Sequence, residues 1–164
     1  MRNRALKAAG PPHEEGRSER GSSSGLVSQS VSTGLRNVTT VSLCGRTILV
    51  VEDEPLVALD VAETIKGAGA SVLLTHTLKD GLRLAEQADV SAAVVDFGLI
   101  DGEASELCQR LNGRGVPYVL YSGYGHVDEA CRGGLVLPKP ATPGALIYAL
   151  SKALTRGGER CQAD

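Results

Sequence analysis

A doubly wound, five-stranded parallel α/β sheet is the fold this sequence predicts, and three observations carry it. Five short apolar runs are spaced between Thr47 and Leu137. Amphipathic stretches of helical length separate the first four runs and follow the fifth. The runs are nearly all apolar rather than alternating, as strands covered by helices on both faces require.

The first run, Thr47–Val51, is rich in β-branched residues and ends at Glu52-Asp53-Glu54-Pro55. Val57, Val61 and Ile65 then fall at i, i+4 and i+8, one face of a helix. The second run is Ser71–Leu74, after which Thr77 caps a helix carrying Leu78, Leu82 and Ala85. The third run, Ala92–Val95, ends at Asp96. Ala104, Leu107, Cys108 and Leu111 give the spacing i, i+3, i+4, i+7, with Gly113 as a stop. The fourth run is Tyr118–Tyr121. Between it and the fifth, Leu135–Leu137, a Gly-Tyr-Gly and an Arg-Gly-Gly leave little room for a helix. Thr142 and Pro143 read as a cap and a first helical residue ahead of Leu146, Leu150 and Leu154. Right-handed crossovers at this size give a flavodoxin-like strand order, 2-1-3-4-5, with a shortened fourth helix.

Residues 1–45 have few bulky apolar side chains and include PPHEEGRSERGSSSG, so they are expected to form a disordered extension. The folded domain is expected over 46–157, with 158–164 as a tail. The extension carries six Lys/Arg against three Asp/Glu, and the remainder 11 against 16. An acidic domain with a dispersed basic tail argues against nucleic acid or an anionic membrane as the main partner. No run approaches the roughly 18 apolar residues of a membrane span. The basic N-terminus lacks the apolar core of a secretory signal, so a cytoplasmic location is expected. Cys44, Cys108, Cys131 and Cys161 form no CxxC pair and are expected as reduced thiols, Cys108 being a small apolar residue on a buried helix face. His76 and His126 lack partners at metal-binding spacing and read as ordinary polar residues.

In a doubly wound sheet, ligands bind at the carboxyl ends of the strands, beside the switch point between strands one and three. Glu52, Asp53, Asp96, Ser122 and Lys139 are all placed along that edge. Clustered carboxylates repel one another unless a cation is present. Mg²⁺ suits such a site, because it takes one or two carboxylates and keeps several waters. An aspartate held there can attack phosphorus as a nucleophile and form an acyl phosphate. An ammonium group neutralises charge on the phosphoryl oxygens, and a hydroxyl donates to them.

Four stretches at the strand ends, VVEDEP, AAVVDFG, VLYSG and VLPKP, together resemble the receiver domains of two-component response regulators. The resemblance covers about residues 46–155. It implies that Asp96 is the phosphoacceptor and a metal ligand, that Asp53 ligates Mg²⁺ directly and Glu52 through water, and that the Gly98 carbonyl completes the metal site. Ser122 becomes the switch hydroxyl, Lys139 the partner of the phosphoryl group, and Lys139-Pro140 a cis peptide. Some features depart from the common pattern. Leu99-Ile100-Asp101-Gly102-Glu103 stands where many receivers have Leu-Pro, and Val136 stands where a switching aromatic is common. Pro117 to Tyr124 is similar to the PFxFATGY signature of a subgroup with a reduced fourth helix, which makes Tyr124 a second switch candidate.

The expected function is therefore a stand-alone phosphoacceptor in two-component signalling, because the chain stops after the fifth helix. A sensor histidine kinase or phosphotransfer protein would donate to Asp96, and a downstream protein would read the change by direct contact. Beyond its own phosphorylation and dephosphorylation, no enzyme activity is expected. Two other classes compete. A phosphorylation-independent interaction module on the same fold would form no acyl phosphate. An enzyme of the haloacid-dehalogenase type would use Asp53, but it needs an Asp-x-Asp that Asp53-Glu54-Pro55 lacks.

Overall fold

The structure is a computed structural model, and it describes residues 42–87, 89–123 and 128–160. Five parallel strands form the sheet: β1 (Thr47–Val51), β2 (Ser71–Thr75), β3 (Ala92–Val95), β6 (Tyr118–Ser122) and β7 (Leu135–Pro138). Their order is β2-β1-β3-β6-β7. Counting these five alone, this is the predicted 2-1-3-4-5. The other two strands, β4 (Gly98–Leu99) and β5 (Gly102–Glu103), make a small antiparallel hairpin that the sequence reading did not contain.

Four α-helices are described: α1 (Pro55–Gly67), α2 (Leu78–Gln87), α3 (Ser105–Gly113) and α4 (Pro143–Arg160). Three of their starts follow from local chemistry. Pro55 opens α1, where its missing N–H costs nothing. The Thr77 hydroxyl accepts from the Asp80 amide at the start of α2. The Thr142 hydroxyl accepts from the Ala145 amide at the start of α4. Between β6 and β7 the described chain makes only a 3₁₀ turn, Glu129–Cys131, in place of a fourth long helix.

Apolar side chains cover both faces of the sheet. Leu49, Val51, Ala93, Val95, Tyr118 and Leu120 pack with Leu107, Cys108 and Leu111 of α3 and with Ala85 of α2. The alternate residues, Ile48, Val50, Ala92, Val94, Val119 and Tyr121, pack with Val61 and Ile65 of α1 and with Leu146 and Leu150 of α4. Strand residues of both parities are thus buried, which is why the runs read as continuous. Packing begins earlier than Arg46: Leu43 is buried in the second of these clusters, and its amide donates to the Ala68 carbonyl. Residues 1–41 of the expected extension lie outside the described residues, as do Tyr124, His126, Cys161 and residues 162–164. Among the described residues, no helix is long and apolar enough to cross a membrane.

One expectation is corrected. Cys108 and Cys131 are joined in a disulfide, with Cα atoms 5.1 Å apart. Cys108 is on the buried face of α3 as expected, but the 3₁₀ turn sets Cys131 against it. Cys44 is free and exposed.

Candidate functional site

The register of the sheet assembles the site. Val51 pairs with Val95, so Glu52 and Asp96 leave adjacent strand ends together. The Asp96 amide donates to the Val51 carbonyl at 2.9 Å, and the Glu52 amide to the Thr75 carbonyl at 3.1 Å. Across the sheet, Ser122 pairs with Pro138, and the Lys139 amide donates to the Ser122 carbonyl. The Lys139-Pro140 bond is cis, as the resemblance implies.

The Lys139 side chain then reaches back over the strand ends. Its Nζ donates to Glu52 Oε2 at 2.5 Å and to Asp96 Oδ2 at 2.7 Å. It also lies 5.3 Å from the centre of the Tyr121 ring. Glu52, Asp53 and Asp96 each place a carboxylate oxygen within 4.8 Å of the others. Five hydrogen bonds fix the frame of this cluster. His76 Nδ1 donates to the Glu52 carbonyl at 2.8 Å. The Glu54 amide donates to Glu52 Oε1, and the Gly98 amide to Asp96 Oδ1. The Ala141 amide donates to the Tyr121 hydroxyl, and the Ala104 amide to the Phe97 carbonyl.

Three carboxylates share one ammonium, and the electrostatics follow from that ratio. Glu52 is only 2% exposed, and burial raises its pKa above the ordinary 4.5 despite the hydrogen bond and charge of Lys139. Burial alone would lower Lys139, but hydrogen bonds and charge from Asp96 and Glu52 outweigh it and hold the ammonium above 10.5. One cation therefore leaves the cluster undercompensated. The donors are hard oxygens at the spacing a small divalent cation spans, so the residues present fit Mg²⁺.

Ser122 closes β6 and is 2% exposed. Gly98 opens the hairpin that follows Asp96. The structure thus brings Glu52, Asp53, Asp96 and Lys139 into one cluster, with Gly98 and Ser122 on the segments beside it. Tyr124 lies outside the described residues.

Sequence reasoning missed two contributors. One is His76, read as an ordinary polar residue, which anchors the Glu52 backbone. The other is Asp101, at the turn of the hairpin. Both of its carboxylate oxygens accept from the first turn of α2, from the Leu78 amide at 2.7 Å and the Lys79 amide at 3.1 Å. Those backbone hydrogen bonds, led by the one from Leu78, lower the Asp101 pKa below the ordinary 3.8. The contact ties the acceptor loop to a helix that begins 23 residues upstream.

No family model matches the chain. The fold is that of the receiver domains of response regulators. Among solved structures, the CheY-like receiver domain protein of Methanospirillum hungatei superposes with a TM-score of 0.64 at 22% identity, covering 70% of this chain and 98% of that one. The receiver domain of a sensor histidine kinase from Pseudomonas aeruginosa, solved with magnesium coordinated in its active-site cleft, matches at TM-score 0.61 and 23% identity, over 68% of this chain and 99% of that one. In sequence, the chain is 26% identical over 124 residues to the acid tolerance regulatory protein ActR of Rhizobium meliloti. That match takes in 71% of this chain and 62% of ActR, less than two thirds of its length.

Proposed function

We propose that this chain is a phosphoacceptor in two-component signalling, with Asp96 taking a phosphoryl group from a histidine kinase or a phosphotransfer protein. The observation that carries the reading is the Lys139 ammonium held between Glu52 and Asp96, beside Asp53, at the switch point of the sheet. Asp53, Asp96 and the Gly98 carbonyl would hold Mg²⁺, with Glu52 acting through water. When bound, the ion supplies charge neutralisation for the phosphoryl oxygens.

The chain's own residues supply the rest. Asp96 Oδ2 is the nucleophile. Lys139 lies 2.7 Å from it and stays charged at neutral pH, placed to follow the phosphoryl group and balance its charge. Gly98 donates its amide to Asp96 Oδ1, which orients the carboxylate. The Ser122 hydroxyl donates to a phosphoryl oxygen, and its movement alters the segment that follows β6. The added negative charge is read by a protein partner. The working location is the cytoplasm.

The test is labelling by acetyl phosphate with and without Mg²⁺. The wild-type chain is expected to take up one phosphoryl group only with the ion, and Asp96→Asn none. Equal labelling of the two proteins would overturn the reading.

A further inference from the structure

Residues 128–134 follow β6 shortly after Ser122, and three links from one face of α3 hold them. Ser105 Oγ donates to Asp128 Oδ2 at 3.1 Å, Asn112 Nδ2 donates to the Ala130 carbonyl at 3.0 Å, and Cys108 is bonded to Cys131. Positions 105, 108 and 112 share one helix face. Both cysteines are fully buried. The glycines at the end of the segment allow the close approach. A Cβ at Gly134 would lie 2.3 Å from the Tyr118 ring, and one at Gly133 would lie 2.3 Å from Asn112 Oδ1.

We propose that Cys108–Cys131 is a redox modification site, a reversible latch on the segment that follows the Ser122 strand. Its co-reactant is a dithiol. In a thiol-reducing compartment a disulfide is characteristically transient, catalytic or redox-sensing rather than permanent. A thiolate of the dithiol attacks one sulfur, forms a mixed disulfide and releases the other cysteine, which takes a proton. The second thiol of the dithiol then displaces the first cysteine. Two electrons pass to the protein, two cysteine thiols form, and the co-reactant leaves as a disulfide. Because both sulfurs are buried, attack requires the segment to lift from α3. The oxidised latch opposes that lifting, and reduction removes the covalent tie while leaving the two hydrogen bonds and the apolar packing. The consequence for signalling rests on the reading of Asp96 and Ser122 given above, whereas the exchange chemistry does not.

The test uses the full chain with Cys44→Ser and Cys161→Ser, so that only the pair can react. The protein is equilibrated in buffers of reduced and oxidised dithiothreitol, and thiols are then alkylated in denaturant and counted by mass. The expected result is a two-electron transition between zero and two labels that is the same from either direction. On reduction, amide hydrogen exchange of residues 128–134 is expected to rise at least tenfold while β1 and β3 stay unchanged. Cys108→Ala/Cys131→Ala should show the fast exchange whatever the buffer. Two labels under fully oxidising conditions, reduction only in denaturant, or exchange at 128–134 that ignores the redox buffer would each overturn the proposal. Phosphoryl uptake at Asp96 is read separately in the same samples. Its failure would remove the phosphoacceptor reading and leave the latch standing.

Discussion

Two connections leave the carboxyl edge of the sheet beside the candidate site, and they are fastened by opposite means. The hairpin after β3 is held to α2 by the fully exposed Asp101 carboxylate on two backbone amides. The segment before β7 is held to α3 by a buried disulfide and two hydrogen bonds. The first tie is weak, wet and responsive to protons. The second is covalent, dry and responsive to electrons. If Asp96 is phosphorylated as proposed, the loop that follows it must adjust to the added charge, and a single exposed carboxylate allows that. Under the function proposed above, a loop that carries the output gains from being fixed until something releases it. In the oxidised state, residues 128–134 are thus anchored, although their glycines alone suggest mobility.

The largest expected difference comes from cutting the covalent tie. Cys108→Ala/Cys131→Ala opens a loop of 23 residues, worth roughly 3 kcal/mol. The melting temperature should fall by roughly 10 °C at this domain size. A fall no larger than that of Asp101→Ala would erase the contrast between the two connections.

Gly134→Ala should rank second. Its new methyl meets the buried Tyr118 ring, and overpacking of this kind costs about 1–3 kcal/mol. Gly113→Ala is the control, since a Cβ there meets nothing within 4 Å. Equal melting temperatures for the two variants would show that the segment is not pressed against β6.

The smallest effect belongs to Asp101, and pH identifies it. A carboxylate whose pKa is lowered by folding adds stability above its unfolded value and loses it as pH falls through the lowered folded value. The melting temperature of Asp101→Asn should therefore lie a few degrees below wild type at pH 6. That gap should close as the pH drops below the ordinary 3.8. A gap unchanged at pH 3 would mean that the charge is not what holds the hairpin.

Most of the sheet was legible because its three inner strands are buried on both faces and read as unbroken apolar runs. The site was legible for a related reason: its charged residues stand at strand ends, where topology alone brings them together. What escaped lies in contacts with no local signature. The two-residue strands of the hairpin are too short to show a period. Asp101 caps a helix 23 residues earlier in the chain, so no capping pattern marks it. Cysteine spacing does not reveal pairing, and a reducing compartment argues against a disulfide. His76 carries no metal spacing, because its partner is a backbone carbonyl. Leu43 escapes notice because a single apolar residue makes no pattern.

Asp96, and not the neighbouring Asp53, is expected to become the acyl phosphate. Borohydride reduces an aspartyl phosphate to homoserine, which marks the residue permanently. The chain should be treated with acetyl phosphate and Mg²⁺, reduced with borohydride, digested and sequenced by mass spectrometry. Homoserine is expected at position 96, with Asp53 unmodified. Homoserine at position 53, or at neither position while the wild-type fold is intact, would contradict it.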